Sequence, residues 1–185
     1  MRAHEVRIVG GTLKRSKLPV ADKPGLRPTP DRVRETLFNW LGQDMAGWRC
    51  VDAFAGTGAL GLEAASRGAA DVLLVEAEAA LVDQLRALAK KLDARAVRVQ
   101  RGNALTVLAA LPPAGMDLVF LDPPFEAGLF DKALAAARPV LTDEGFLYLE
   151  APAAWDAQSL APYRLELLRH MKAGAVHGHL LRPVA

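Results

Sequence analysis

The stretch Val51-Asp52-Ala53-Phe54-Ala55-Gly56-Thr57-Gly58-Ala59-Leu60-Gly61-Leu62-Glu63-Ala64 decides the fold of this 185-residue chain. Its first residues predict the end of a buried strand, whereas residues 59–65 contain good helix formers. Gly56 and Gly58 lie in the turn between them, where glycine permits a positive φ and a close approach of the backbone to a ligand. Strand, glycine-rich turn and helix together predict a nucleotide-type pocket at the carboxyl edge of a parallel sheet.

The glycine spacing alone leaves the ligand of this pocket open. A P-loop is excluded because no Gly-Lys-Ser/Thr sequence follows the glycines, whereas Gly56, Gly58 and Gly61 have the G-x-G-x-x-G spacing of dinucleotide sites. Asp52 favours S-adenosylmethionine, because an anion there would repel a pyrophosphate and attract a sulfonium and an amino group. Glu76 ends the next strand-like run and suits ribose hydroxyls in either class. A nicotinamide dehydrogenase therefore stays as an alternative.

Composition predicts one globular domain with an ordinary core. Hydrophobic residues make up 51% of the chain and charged residues 24%. The single cysteine, Cys50, lies in an apolar run and excludes disulfide scaffolds and cysteine-rich zinc sites. We expect no metal, and we expect His177 and His179 to face solvent. Since no run of about 18 apolar residues and no signal peptide are present, a cytoplasmic protein without membrane association is predicted.

The charge of the chain is unevenly distributed. Residues 1–34 contain nine Lys and Arg against three Asp and Glu, so this segment carries +6 and the remainder −4. A basic arm on a mildly acidic domain is typical of proteins that bind a polyanion, although a solvated terminus would have the same composition.

The N-terminal region predicts a small extension of the main domain. Residues 5–9 alternate polar and apolar side chains and residues 12–20 form a second short strand, which together indicate a basic hairpin. Thr29 is a candidate N-cap and Pro30 a first helical residue for a helix over residues 31–41. We therefore divide the chain into an N-terminal hairpin and helix, residues 1–45, and a catalytic domain, residues 46–185.

The second region alternates strands and helices. Candidate strands lie at 49–54, 71–76, 96–100, 117–121 and 145–150, and candidate helices at 58–68, 78–92, 104–111 and 128–138. This alternation predicts an α/β fold with a doubly wound, mostly parallel sheet. Residues 163–169 and 176–181 predict a C-terminal antiparallel hairpin, which is typical of Rossmann-like class I S-adenosylmethionine-dependent methyltransferases and not of dehydrogenases.

The second motif, Leu118-Val119-Phe120-Leu121-Asp122-Pro123-Pro124-Phe125, suits the methylation of a planar exocyclic amine. Such an amine is a poor nucleophile because its lone pair is delocalised. Asp122 and the carbonyl of Pro123 could accept its two hydrogens, and Pro123-Pro124 would fix that carbonyl. Phe125 could stack on a base that is flipped out or unpaired. The alternative is a proline turn with Phe125 buried.

The chain resembles the RsmD family of bacterial methyltransferases, which modify guanine N2 in 16S ribosomal RNA. The resemblance rests on Arg7-Ile8-Val9-Gly10-Gly11, Leu26-Arg27-Pro28-Thr29, Asp31-Arg32-Val33-Arg34-Glu35-Thr36-Leu37-Phe38-Asn39-Trp40-Leu41, the Asp52 loop and Asp122-Pro123-Pro124-Phe125. The glycine loop marks only the superfamily, whereas the N-terminal segments combined with the Asp-Pro-Pro-Phe sequence are more specific.

The resemblance implies roles for individual residues. The expected cofactor-binding residues are Asp52, Phe54, Gly56, Gly58, Glu76, Asn103, Ala104, Arg27 and Thr29. The expected catalytic residues are Asp122, Pro123, Pro124 and Phe125, and the expected RNA-binding residues are Arg7, Lys14, Arg15, Lys17, Arg32 and Arg34. Asn103 would lie beside the adenine amino group, although many relatives carry Asp there and the residue also suits a helix N-cap.

The implied partner is 16S ribosomal RNA within a small subunit or an assembly intermediate, bound by a monomer. Two other functions fit the same residues. Adenine N6-methyltransferases of DNA or RNA share the Asp-Pro-Pro sequence, so only the N-terminal likeness indicates guanine in RNA. A non-catalytic RNA-binding factor in ribosome assembly would keep the fold, but an intact Asp122-Pro123-Pro124-Phe125 argues against it.

Overall fold

A computed structural model describes residues 5–20, 28–126 and 128–185. The main sheet contains β3 (Arg49–Asp52), β4 (Asp71–Glu76), β5 (Val97–Arg101), β6 (Met116–Leu121), β7 (Leu141–Ala151), β8 (Leu165–Ala173) and β9 (Val176–Pro183). Their order is β5-β4-β3-β6-β7-β9-β8. The first five pair in parallel and β8 and β9 pair antiparallel, which confirms the predicted mostly parallel sheet with its C-terminal hairpin.

Helices cover both faces of the sheet. They are α1 (Asp31–Leu41), α2 (Ala59–Ser66), α3 (Ala79–Lys91), α4 (Ala104–Ala110), α5 (Leu129–Ala137) and α6 (Ala157–Leu160), with 3-10 turns at Arg138–Val140 and Ala161–Tyr163. Side chains of α1, α2 and α3 join one apolar cluster, and those of α4, α5 and α6 join the other. In α3, Leu81, Leu85 and Leu88 recur at helical spacing and are buried, which confirms that this stripe is core.

The N-terminal hairpin packs onto the main domain. Its strands, β1 (Glu5–Arg7) and β2 (Lys17–Pro19), are shorter than predicted because the turn between them bonds to α2. Thr12 N donates to Ser66 O over 2.8 Å. Val6, Ile8 and Leu18 are buried in the apolar cluster that also covers the sheet. The division at residue 45 stays a prediction, since both parts contribute to one core.

The topology places two sequence motifs side by side. After β3 the chain builds β4 and β5 on one side, and β6 and β7 then form on the other, so the order reverses between β3 and β6. Asp52 ends β3 opposite Phe120, two residues before Asp122. In open α/β sheets ligands bind at such a reversal, beyond the carboxyl ends of the strands.

Candidate active site

The glycine loop after β3 has the geometry that its sequence predicts. Gly56 and Gly58 have φ values of +56° and +81°, and Gly58 caps the N-terminus of α2. The left-handed conformation favours glycine here, and a Cβ on Gly58 would also lie 2.7 Å from Leu85 Cδ2, so that the leucine side chain would have to shift. The loop therefore brings the backbone close to any ligand that lies above β3. Phe54, at its start, is half-buried against the other apolar cluster.

Asp52 lies buried beneath this loop with half of its carboxyl unsatisfied. Oδ2 accepts a hydrogen bond from Gly61 N over 3.1 Å, and Oδ1 has no hydrogen-bond partner among the described residues. Burial, with smaller contributions from Glu76 and Glu150, raises the pKa of Asp52 to about 7 against the bond from Gly61. Asp52 is therefore not a fixed anion, and a nearby cation would lower its pKa.

Two polar residues stand at the ends of the next strands, as predicted. Glu76 ends β4 half-exposed, and its Oε2 accepts a hydrogen bond from Glu78 N over 3.1 Å. Asn103 follows β5, and its Oδ1 accepts from Leu105 N at 3.0 Å and Thr106 N at 3.2 Å. The N-cap interpretation of Asn103 is therefore confirmed. The cap uses only the oxygen of the Asn103 side chain, so its NH2 can donate to a ligand. The next residue, Ala104, is buried.

These residues fit S-adenosylmethionine by their chemistry. The orphaned oxygen of Asp52 suits a cationic group, because a buried unpaired carboxylate oxygen is costly without one. Gly56 and Gly58, which have positive φ, let a ligand approach the backbone above β3. Glu76 provides a hydrogen-bond acceptor at the carboxyl end of β4.

The segment Asp122-Pro123-Pro124-Phe125 follows β6 directly beside this loop. Asp122 is half-buried, Pro123 is buried and Pro124 is exposed. Phe125 is 42% exposed, with its ring centroid 6.2 Å from that of Phe130. The alternative interpretation is therefore wrong in expecting a buried Phe125. An exposed ring beside a carboxyl is a suitable surface for a planar base.

A further carboxyl, Glu150, belongs to this cluster and was missed from the sequence. Its Oε1 accepts hydrogen bonds from Thr29 Oγ1 over 3.0 Å and from Tyr148 Oη over 2.9 Å. Glu150 and Asp122 each affect the pKa of the other. Burial first, and then Glu150, raise the pKa of Asp122 well above its usual range. A carboxylate that ends the apolar run 145–150 repeats the pattern of Asp52 and Asp122, and this signal could have revealed it.

Thr29 does not cap α1, contrary to the sequence prediction. Pro30 occupies the cap position, and the Thr29 hydroxyl instead donates to Glu150, a residue of a distant strand. Thr29 is buried, so tertiary contacts outweigh its local capping preference. Its expected role in cofactor binding stays a prediction. Arg27, expected beside it, lies outside the described residues.

Five of the six residues expected to bind RNA are exposed. They are Arg7, Lys14, Arg15, Lys17 and Arg32. Arg34 is the exception and corrects that prediction, because its side chain is 0% exposed. Its guanidinium donates to Glu63 Oε1 over 2.9 Å and to Arg7 O over 2.8 Å, and it also pairs with Asp31. Arg34 holds the N-terminal segment in place and cannot reach RNA in this arrangement.

The histidines give a second correction. His179 is buried and does not face solvent, since its Nε2 accepts a hydrogen bond from Trp155 N over 2.9 Å and its Nδ1 bonds Leu149 O. Burial lowers the pKa of His179 to about 4. Within residues 5–20, 28–126 and 128–185, no group of three or more His, Cys, Asp or Glu residues could hold a metal ion. That part of the chain also has no helix long and apolar enough to span a bilayer.

Comparisons with known proteins agree with this geometry. The family described as "Conserved hypothetical protein 95" matches residues 6–182, a range that includes the glycine loop and Asp122-Pro123-Pro124-Phe125. Ribosomal RNA small subunit methyltransferase D of Escherichia coli K12 is 43% identical over 174 residues, covering 93% of this chain and 87% of that protein.

The likeness extends to a second organism and to solved structures. The protein of the same name from Haemophilus influenzae is 36% identical over 177 residues, covering 93% of this chain and 91% of that protein. The solved structure of Escherichia coli yhhF matches with a TM-score of 0.83 at 40% identity, covering 98% of this chain and 99% of that chain.

Proposed function

We propose that this chain, which belongs to the ribosomal RNA small subunit methyltransferase D (RsmD) family, methylates the exocyclic N2 amine of a guanine in 16S ribosomal RNA. One observation carries the proposal. The Asp52 loop and the Asp122-Pro123-Pro124-Phe125 segment leave neighbouring strands, β3 and β6, at the same edge of the sheet. A cofactor on the first motif would therefore lie against an acceptor on the second.

S-adenosylmethionine is the proposed cofactor, and when bound it supplies an activated methyl group on a sulfonium. Asp52 would lie near its cationic end, Gly56 and Gly58 would line its methionine part, and Glu76 would accept bonds from its ribose. Asn103 would contact its adenine through the side-chain NH2, which the α4 cap does not use. Phe54, Ala104, Thr29 and Arg27 complete the proposed pocket.

The acceptor amine would be held by the second motif. A carboxylate oxygen of Asp122 and the carbonyl oxygen of Pro123 would accept its two hydrogens and favour a pyramidal nitrogen. Pro124 would stiffen that carbonyl, and the exposed ring of Phe125 would stack on the base. Positioning and electrostatics would supply most of the rate acceleration.

The proposed partner is 16S ribosomal RNA within a small subunit or an assembly intermediate. The exposed cations Arg7, Lys14, Arg15, Lys17 and Arg32 support binding to a polyanion. This arm is small, which favours a particle in which other components also present the target. We propose that the protein acts as a monomer in the cytoplasm.

The experiment is transfer of labelled methyl from S-adenosylmethionine to three acceptors, followed by nucleoside analysis. The acceptors are unmodified small subunits, free 16S RNA and duplex DNA. N2-methylguanosine from the ribosomal acceptor is the expected product. Methyladenine would overturn the proposed base, and tight cofactor binding without transfer would instead indicate a non-catalytic assembly factor.

A further inference from the structure

Glu150 lies at the meeting point of three elements of the site. It is buried near the end of β7, the strand beside β6, and Phe120 and Leu121 pair with Tyr148 and Leu149 in register. Continuing that register places Glu150 next to Asp122. Glu150 is therefore the neighbour, on the adjacent strand, of the residue proposed to contact the acceptor amine.

The surroundings of Glu150 fix one of its oxygens. Oε1 accepts bonds from the Thr29 hydroxyl at 3.0 Å and the Tyr148 hydroxyl at 2.9 Å. Thr29 is itself held, because its carbonyl accepts a bond from Arg34 Nε over 3.3 Å. These two donors hold the Glu150 carboxyl in place, in the register position beside Asp122.

We propose that Glu150 is the positioning residue for Asp122. The two carboxyls share one proton, which orients Asp122 so that its free oxygen faces the acceptor. This inference rests on the proposed function for its catalytic meaning. The proposed amine-binding site then includes Glu150 of β7. It also includes Thr29 of the N-terminal segment, which donates a hydrogen bond to Glu150.

Charge and proton balance follow from this pairing. With one shared proton, the pair carries a single negative charge and can accept a hydrogen bond from the amine. After methylation the nitrogen must lose a proton, so an N–H bond breaks, an O–H bond forms on the pair, and the charge of the pair goes from −1 to zero. Release of that proton to solvent restores the starting state.

The other titratable groups around the pair favour retention of the proton. Asp52 adds repulsion to Asp122, and Glu76 acts on Asp52 in turn. Tyr148 stays neutral, since burial and then Glu150 raise its pKa. Burial also raises the pKa of Glu150, against the bonds from Tyr148, Thr29 and Asp122. Arg34 reaches Glu150 only through Thr29.

The test compares Glu150→Ala, Glu150→Gln and the control Glu144→Gln. Glu144 is exposed on the same strand but near its amino-terminal end, whereas Glu150 lies near the carboxyl end. We expect Glu150→Ala to lower the single-turnover rate roughly 100-fold while leaving the cofactor Kd within a factor of a few. The amide introduced by Glu150→Gln can still accept from Thr29 and Tyr148, and it donates a hydrogen to Asp122. Glu150→Gln should therefore keep most of the single-turnover rate. If the wild-type rate falls at alkaline pH because the shared proton is lost, this fall should be absent in Glu150→Gln.

A second measurement separates this inference from the proposed function. Carbon-13 NMR of labelled Asp and Glu carboxyls should show at pH 7 a protonated pair that is absent in Glu150→Gln and retained in Glu144→Gln. Equal rates and equal carboxyl titrations in all variants would overturn the role of Glu150. A wild-type protein that shows the protonated pair but transfers nothing to ribosomal RNA would overturn the proposed function alone.

Discussion

Arg34 in α1 and Glu63 in α2 form an ion pair in which both side chains are 0% exposed. The same Glu63 carboxylate accepts bonds from Val9 N at 2.8 Å and Gly10 N at 3.1 Å, and Arg67 Nε lies 3.3 Å away. One buried carboxylate thus joins the hairpin turn, α1 and α2. The N-terminal segment is therefore part of the folded domain and holds Thr29 in position for Glu150.

Removal of Arg34 should destabilise the protein strongly. Arg34→Leu leaves Glu63 with one cationic partner fewer in a buried site, and breaking a buried pair costs about 3–5 kcal/mol. Burial first lowers the pKa of Arg34 against the attraction of Glu63 and Asp31, so the pair depends on close contact. Urea denaturation measures the change. Arg95→Leu, which removes the exposed partner of Asp93, is the control and should leave the midpoint unchanged.

Gly11 should be intolerant of a side chain. Its φ is +78°, and an added Cβ would collide with the carbonyl oxygen of Ser66. Because Thr12 N donates to that same oxygen, Gly11→Ala should push the turn away from α2 and lower the melting temperature. Gly47→Ala is the matched control, since Gly47 has φ +82° with nothing within 4 Å of the added atom. Equal losses in the two variants would mean that backbone strain, and not the close contact, is responsible.

Cofactor binding should depend on pH through Asp52. The pKa of this carboxyl is about 7, so only the fraction ionised at a given pH can pair with a cation. Affinity for S-adenosylmethionine, measured by calorimetry, should therefore rise roughly tenfold between pH 6 and pH 8. Asp52→Asn should bind more weakly and lose this dependence.

The free energy of unfolding of the cofactor-free protein should decrease with rising pH, whereas cofactor affinity increases. A carboxyl whose pKa is raised by folding favours the folded state while protonated, and this advantage is lost as pH rises from about 3.8 through about 7. Asp52→Asn lacks this ionisation and should gain stability over the wild type at pH 8, with little gain at pH 4. If the stability difference between Asp52→Asn and the wild type were the same at pH 4 and pH 8, folding would not raise the pKa of Asp52.

Asp122→Ala should impair methyl transfer without impairing cofactor binding. Among the described residues the Asp52 carboxyl is hydrogen-bonded to Gly61 N and not to Asp122. We therefore expect a cofactor Kd close to that of the wild type and transfer reduced by at least about 100-fold. Filter binding and labelled transfer measure the two quantities. A collapse of cofactor affinity would show that the motifs do not divide the work in this way.

The sequence predicts the elements of this protein well because their signals are local. Apolar runs and helical periodicity predict most strands and helices from residue 49 onward, but not the short α6 or the first four residues of β7. Asp52, Glu76 and Asp122 are visible as polar residues that end apolar runs. Thr29, Arg34 and His179 are misread because their partners are distant in sequence. Thr29 bonds a residue 121 positions away, and Arg34 bonds one 29 positions away. Glu63 is invisible for the same reason, since only the fold shows why a carboxylate lies in an apolar helix.

The exposed arm should control the salt dependence of RNA binding. Lys14, Arg15 and Lys17 are exposed around the hairpin turn, whereas Arg34 is not available. Each phosphate contact that is lost removes about 0.7 from the slope of log affinity against log salt for single-stranded nucleic acid. Replacement of all three by Gln should therefore flatten the slope by roughly 2 and weaken binding to 16S RNA fragments.

The control for this triple variant removes the same charge elsewhere. Lys90 and Lys91 at the end of α3 and Arg95 after it are exposed, and their replacement by Gln also lowers the net charge by three. If the arm contacts phosphates directly, this second variant should keep the wild-type slope, because distant charges are screened beyond about 8–10 Å. Equal flattening in both would mean that net charge alone attracts the RNA, and an unchanged slope in the arm variant would exclude these residues from the interface.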